Sequence, residues 1–301
     1  MSGKVVTVFG ATGGQGASVA RALAKHPDYM VRAITRDVYT EHAQKLRQDG
    51  VDLIGYDPND RGSIESALCG AYAVFVNTIT DYNDPNCFEN EKTSGKLIAD
   101  ACKAMGVRHV VFSSQIHTTR VSGLLVRHMV AKAEIEDYMR DIGLPVTCLI
   151  MPIYYEDFCG MFRPRTRDGS NYELLIPTGF TPMDMMSVED LGPVVVNVLN
   201  NTARFLNKTL SVSGDKLTMR EVASVLNKHL APKAFRDKQL TVHEFSQLDM
   251  PGILDWAQMF NFLVREDQRY KVKDTQQCNP NMQSFETWVR NNRDQINRVL
   301  S

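Results

Sequence analysis

Gly10, Gly13 and Gly16 stand at the spacing that cradles a pyrophosphate. Gly10 would end a strand in a tight turn. Gly13 would let phosphate oxygens reach the backbone with no Cβ in the way. Gly16 would let the next helix pack close to the sheet, its N-terminus facing the phosphates. Twenty residues past Gly16 comes Thr35-Arg36-Asp37. An acidic residue at that place binds a ribose 2′-hydroxyl, whereas an arginine suits a 2′-phosphate, so Arg36 points to NADP(H) over NAD(H), with Asp37 as the opposing signal. Further on, His128-Met-Val-Ala-Lys132 sets two titratable side chains four apart on one helix face, downstream of Ser113-Ser114. The sequence has no HExxH, no P-loop lysine and no GxSxG, so metalloprotease, NTPase and serine-hydrolase chemistry lack support and no metal is expected.

The elements that must position these residues are legible. Strand patterns fall at Lys4–Phe9, Tyr29–Thr35, Val51–Tyr56, Ala73–Asn77, Val107–Ser113 and Val146–Met151. Helical patterns fall between them, at Gln15–His26, Thr40–Gln48, Ser63–Leu68, Asn86–Met105 and Arg127–Asp141. This alternation predicts a Rossmann-type α/β fold: a doubly wound parallel sheet built from right-handed βαβ units. The second half has scattered prolines and longer helices, with Ser187–Leu199 and Thr218–Leu230 helical and Thr209–Ser213 a late strand. The expected division is a nucleotide-binding core over 1–153 and a smaller, mostly helical substrate or partner region over 154–301. Segments near 187–213 are expected to return to the core sheet.

Composition narrows the classes. The 301 residues are 43% hydrophobic, enough for a sizeable core, and 34 Lys and Arg offset 35 Asp and Glu. A near-neutral chain argues against a nucleic-acid binder that works by a basic surface. No apolar stretch approaches a membrane span, and Met1-Ser2 leads straight into a strand pattern rather than a leader. Six scattered cysteines with no CxxC suit a reducing compartment, cytoplasmic or also nuclear.

A longer series of motifs runs GATGGQG at 10–16, Thr35-Arg36, Asp57-Pro58-Asn59-Asp60, Gly70-Ala71-Tyr72-Ala73-Val74-Phe75, Asp141-Ile142-Gly143-Leu144-Pro145, Pro152 to Asp157, Met183-Asp184 and Ser187 to Pro193. In that order it resembles the NmrA-like family of atypical short-chain dehydrogenase/reductases over most of the chain, especially animal members regarded as NADPH sensors. The resemblance implies an NADP pocket. In it, Gly10, Ala11, Thr12, Gly13, Gly14, Gln15 and Gly16 hold the pyrophosphate, and Arg36 takes the 2′-phosphate in a loop with Asp37 and Thr40. Asp57 and Pro58 lie by the adenine, and Asn77, Thr78 and Ile79 run along the ribose. Lys132 reaches the nicotinamide ribose, Tyr154, Tyr155, Glu156 and Asp157 close over the nicotinamide, and Lys92 is a further candidate.

The wider superfamily carries Tyr-x-x-x-Lys where this chain has His128 and Lys132. The tyrosine moves the proton and the lysine tunes it. With the tyrosine replaced, Lys132 and His128 are the catalytic candidates, although His128 reads more readily as an ordinary satisfied histidine. The leading expectation is an NADP(H)-binding redox sensor read by a regulatory protein partner or a cofactor-dependent homodimer. The rival is an NADPH-dependent reductase of a small carbonyl or quinone that uses Lys132.

Overall fold

The computed structural model describes residues 3–166, 168–266 and 272–301; Met1-Ser2, on which the leaderless reading rests, lies outside them. Strands alternate with helices through the first half. They are β1 (Lys4–Val8), α1 (Gly14–Ala24), β2 (Tyr29–Thr35), α2 (Glu41–Gln48), β3 (Asp52–Gly55), α3 (Arg61–Leu68), β4 (Ala73–Val76), α4 (Cys87–Ala104), β5 (His109–Ser114) and β6 (Val146–Ile150). A helix at Arg127–Asp141 precedes β6. The seven-stranded sheet has the order Thr209–Ser211, β6, β5, β4, β1, β2, β3. The pairs from β6 to β3 are all parallel. Strand order reverses beside β1, and ligands of doubly wound sheets bind at that switch, outside the carboxyl ends of the strands.

The chain divides into two compact units. The first comprises 1–117, 127–151 and 189–210; the second comprises 118–126, 152–188 and 211–301. In the first, β4 and β5 are buried throughout, as a central parallel strand covered on both faces must be. One buried cluster joins Phe9, Ile34, Ile64, Phe112, Ile135 and Val146. Each such side chain contributes about 1.5–3 kcal/mol on leaving water. The Leu191–Asn200 helix lies close on α1: a Cβ at Gly192 would stand 2.4 Å from Ser18 O. The Ser18 hydroxyl donates to Glu189 O and accepts from Gly192 N, at 2.9 and 3.0 Å.

In the second unit helices predominate, as expected. It holds the helices Met219–Leu230, Ile253–Arg265 and Phe285–Asn291. It also holds two three-stranded sheets, one of Ile153–Tyr154, Met183–Met186 and Asp215–Leu217, the other of Arg165–Thr166, Asn171–Leu174 and Ala234–Asp237. These strands are two to four residues long, too short for period-2 patterning to register. The segment read as one helix over Ser187–Leu199 is a 3₁₀ turn, Val188–Asp190, followed by the helix Leu191–Asn200. No helix among the described residues is long and apolar enough to cross a membrane, and no group of three or more His, Cys, Asp and Glu among them could hold a metal.

Candidate functional site

At the carboxyl end of β1 the chain turns through Gly10, whose φ of +64° is the left-handed conformation that glycine takes without strain. A Cβ on Gly16 would stand 2.3 Å from Gly10 O and 2.8 Å from Ala11 Cα, so this position admits only glycine. At Gly13 the nearest atom to such a Cβ would be Gly10 O at 3.4 Å, an ordinary contact. The missing side chain at Gly13 therefore serves the exposed side of the turn rather than its packing. Asn77, just past β4, lies against Gly10: a Cβ there would be 3.3 Å from Asn77 O.

The end of α1 differs from its neighbours. Gly13 caps it with no side-chain hydrogen bond, and no acidic residue stands in its first turn. By contrast, the Thr40 hydroxyl accepts from Ala43 N to cap α2, and Asp60 accepts from Gly62 N to cap α3. The first N–H groups of a helix have no partner within it, and those of α1 remain aimed at the turn. Gln15, in the same turn, keeps a buried amide oxygen with no partner among the described residues. Bare donors, a cleared backbone and an orphaned acceptor fit a phosphate-bearing ligand with attached hydroxyls.

Arg36 is exposed just past β2 and makes no hydrogen bond or ion pair among the described residues. Asp37 does not take it: its carboxylate accepts from Tyr39 N at 2.8 Å. Thr40 is occupied as the α2 cap. The Arg36 charge acts instead on Tyr56, after β3, whose hydroxyl pKa burial raises against the pull of the guanidinium. Asp57 holds its own turn by accepting from Asn59 N, with half-buried Pro58 beside it. Arg36, Tyr56 and Asp57 thus share the carboxyl edge of β2 and β3.

The lysine end is built differently. Lys132 Nζ donates to Glu91 Oε1 at 2.5 Å, to Thr78 O at 2.9 Å and to Thr78 Oγ1 at 3.0 Å. The Glu91 side chain is 0% exposed and that of Lys132 12%. Burial raises the Glu91 pKa, but the Lys132 charge and hydrogen bonds from Lys132, Thr78 and Thr80 outweigh it and hold the carboxyl below its ordinary value. The sequence reading does not include Glu91, and names its neighbour Lys92 only as a further candidate. Lys92 in fact pairs with Glu134 at 2.8 Å and lies over the Phe88 ring. The signal was there: Cys87, Glu91, Gly95, Ile98 and Cys102 form one buried stripe of α4, and Glu91 is its one charged member. Close helix packing makes the pair reachable, because a Cβ on Gly95 would lie 2.4 Å from Ile135 Cδ1.

The remaining candidates have other engagements. Ser114, at the end of β5, donates to Glu136 Oε2 at 2.5 Å, and Glu136 also binds Arg140 and Thr209. His128 is buried, with the Tyr82 ring edge-on at 6.0 Å. Ile79 is exposed. In the second unit, Tyr154 N donates to Asp157, and burial pushes the Asp157 carboxyl up to about 7. Glu156 accepts from Ser187 and Trp288, and Tyr155 is fully buried among Phe285 and Trp288.

The strand order and the glycine turn at its switch define a Rossmann-type doubly wound α/β protein. A model of the NmrA-like family matches residues 2–287, and the chain belongs to that family. Its relatives include the NmrA-like family domain-containing oxidoreductase ptmS of Penicillium ochrochloron, 37% identical over 288 residues, which span 89% of this chain and 85% of that protein. Among solved structures, NmrA, a negative transcriptional regulator, in complex with NADP superposes with a TM-score of 0.82 at 19% identity, covering 96% of this chain and 95% of that one. The Citrobacter sp. triphenylmethane reductase complexed with NADP(H) superposes with a TM-score of 0.77 at 18% identity, covering 95% and 99%.

Proposed function

We propose that this protein binds NADP(H) and acts as a redox sensor, its state read by a regulatory protein partner or by a second copy of the chain. One contrast carries the reading: among the described residues α1 and Arg36 leave their donors unused, whereas the Lys132 ammonium spends all three of its hydrogens on the protein. The turn residues 10–16, with the α1 N-terminus, would hold the pyrophosphate. Arg36 would fork onto the 2′-phosphate beside Tyr56 and Asp57. Asn77 and Thr78 would line the ribose, and Lys132 would meet the nicotinamide ribose. When bound, the nicotinamide supplies a hydride. At the position of the superfamily's tyrosine this chain has His128, and its lysine stays committed to Glu91.

A second reading is favoured by the relatives and neighbours named as oxidoreductase or reductase. In it Lys132 turns from Thr78 to a carbonyl or quinone oxygen and donates the proton. Calorimetric titration with NADPH, NADP, NADH and NAD, in wild type and Arg36→Ala, tests the binding. NADPH is expected to bind tightest, and Arg36→Ala to erase its lead over NADH. Equal affinity for NADH and NADPH in wild type contradicts the assignment.

A further inference from the structure

The three acceptors around Lys132 are not equivalent. Glu91 Oε1 carries charge, and Thr78 O is a backbone carbonyl fixed by its place after β4. Thr78 Oγ1, the farthest at 3.0 Å, accepts from Lys132 while donating its own hydrogen to Glu91 Oε1 at 2.6 Å. Glu91 Oε2 is filled by the Thr80 hydroxyl at 2.6 Å. Every oxygen of this buried carboxylate is therefore spoken for inside the protein, and its orientation is fixed by two threonines and a lysine. Oriented acceptors of this kind set the direction in which an ammonium points. The 12% exposure left on Lys132, against 0% on Glu91, puts the open side of the pair on the lysine.

We propose that Glu91 is the positioning residue of the site. It holds two of the Lys132 ammonium contacts in place together with Thr78 O, and leaves the third, on Thr78 Oγ1, exchangeable for a hydroxyl of the nicotinamide ribose. The proposal rests on the reading that Lys132 meets that ribose. Close helix packing supports it: Gly95, one turn past Glu91, lets the Ile135 side chain into α4, and Ile135 lies three residues past Lys132. Thr80 stands outside the lysine contact and acts only through the carboxylate.

The test compares two ligands by calorimetry. NADPH reaches the nicotinamide ribose; adenosine 2′,5′-bisphosphate carries the 2′-phosphate but stops short of it. Lys132→Met and Glu91→Gln are each expected to weaken NADPH about tenfold, the loss of one charge-assisted contact. Binding of the bisphosphate should stay within about twofold of wild type. The double variant should be no weaker than Lys132→Met alone, because Glu91 acts through the lysine. If Glu91→Gln does not fold, the double variant, which removes both charges of the buried pair, and Thr80→Val carry the test. Thr80→Val should weaken NADPH about threefold and leave the bisphosphate unchanged. If Lys132→Met weakens NADPH while Glu91→Gln and Thr80→Val do not, the role of Glu91 is overturned and the ribose reading stands. If Lys132→Met leaves NADPH unchanged, the ribose reading falls and takes the proposal with it. Equal losses for both ligands reveal a merely structural pair and also overturn it.

Discussion

Two ends of one sheet edge are built on opposite terms. Around β1, β2 and β3 the polar groups are held open: α1 has no side-chain cap, Gln15 keeps an orphaned oxygen and Arg36 stands unpaired among the described residues. Around β4 and β5 they are consumed: Lys132, Glu91, Thr78 and Thr80 satisfy one another, and Ser114 is bound to Glu136. An open polar group favours a ligand, since nothing inside the protein must be given up to bind it. A saturated one favours rigidity, since the ligand must displace a contact at least as good. The difference is what supports the proposal of tight nucleotide binding with slow chemistry.

The largest break would come from the turn. Gly16→Ala should cost about 3 kcal/mol, because its Cβ meets backbone that cannot yield, and should abolish nucleotide binding. Gly13→Ala is the sharper partner experiment. The fold has room there, so stability should change by less than about 0.5 kcal/mol while NADPH affinity falls about tenfold. Urea unfolding and calorimetry on both variants check the pair. If Gly13→Ala binds NADPH normally, the open side of the turn is not a phosphate seat.

The next effect tests the far end of β5. His109 lies at its start, with Nε2 2.8 Å from Thr147 Oγ1, and burial pushes its pKa down to about 4. The unfolded histidine takes a proton near its ordinary value while the folded one resists. Stability from this group is therefore full above about pH 6.5 and is lost as pH falls toward 4, by at most about 3 kcal/mol. His109→Gln should flatten that part of the pH–stability curve measured by urea unfolding. A parallel curve in the variant would contradict the buried neutral assignment. A smaller effect belongs to Arg36→Ala, about 30-fold on NADPH and under twofold on NADH.

The sequence shows β2 and the Arg127–Asp141 helix with the bounds they have in the structure, and the other core elements within a few residues. Hydrophobic periodicity is strong wherever an element is buried on a whole face. It fails for the two small sheets, whose strands of two to four residues offer no period to count. The glycine turn is legible because its geometry is local, set by spacing along the chain. Glu91 is not. A glutamate in a helix ordinarily reads as a solvated side chain, and only the α4 stripe and Lys132, forty-one residues on, make it a buried partner. Lys92, a further candidate only through the family resemblance, is held by Glu134.

Consumption of NADPH in the presence of a panel of aldehydes, ketones and quinones tests the central claim most directly. With NADPH bound, the committed lysine and the missing tyrosine predict oxidation no faster than in buffer with any of them. Robust turnover with one substrate, lost in Lys132→Ala, would contradict the sensor and establish the reductase.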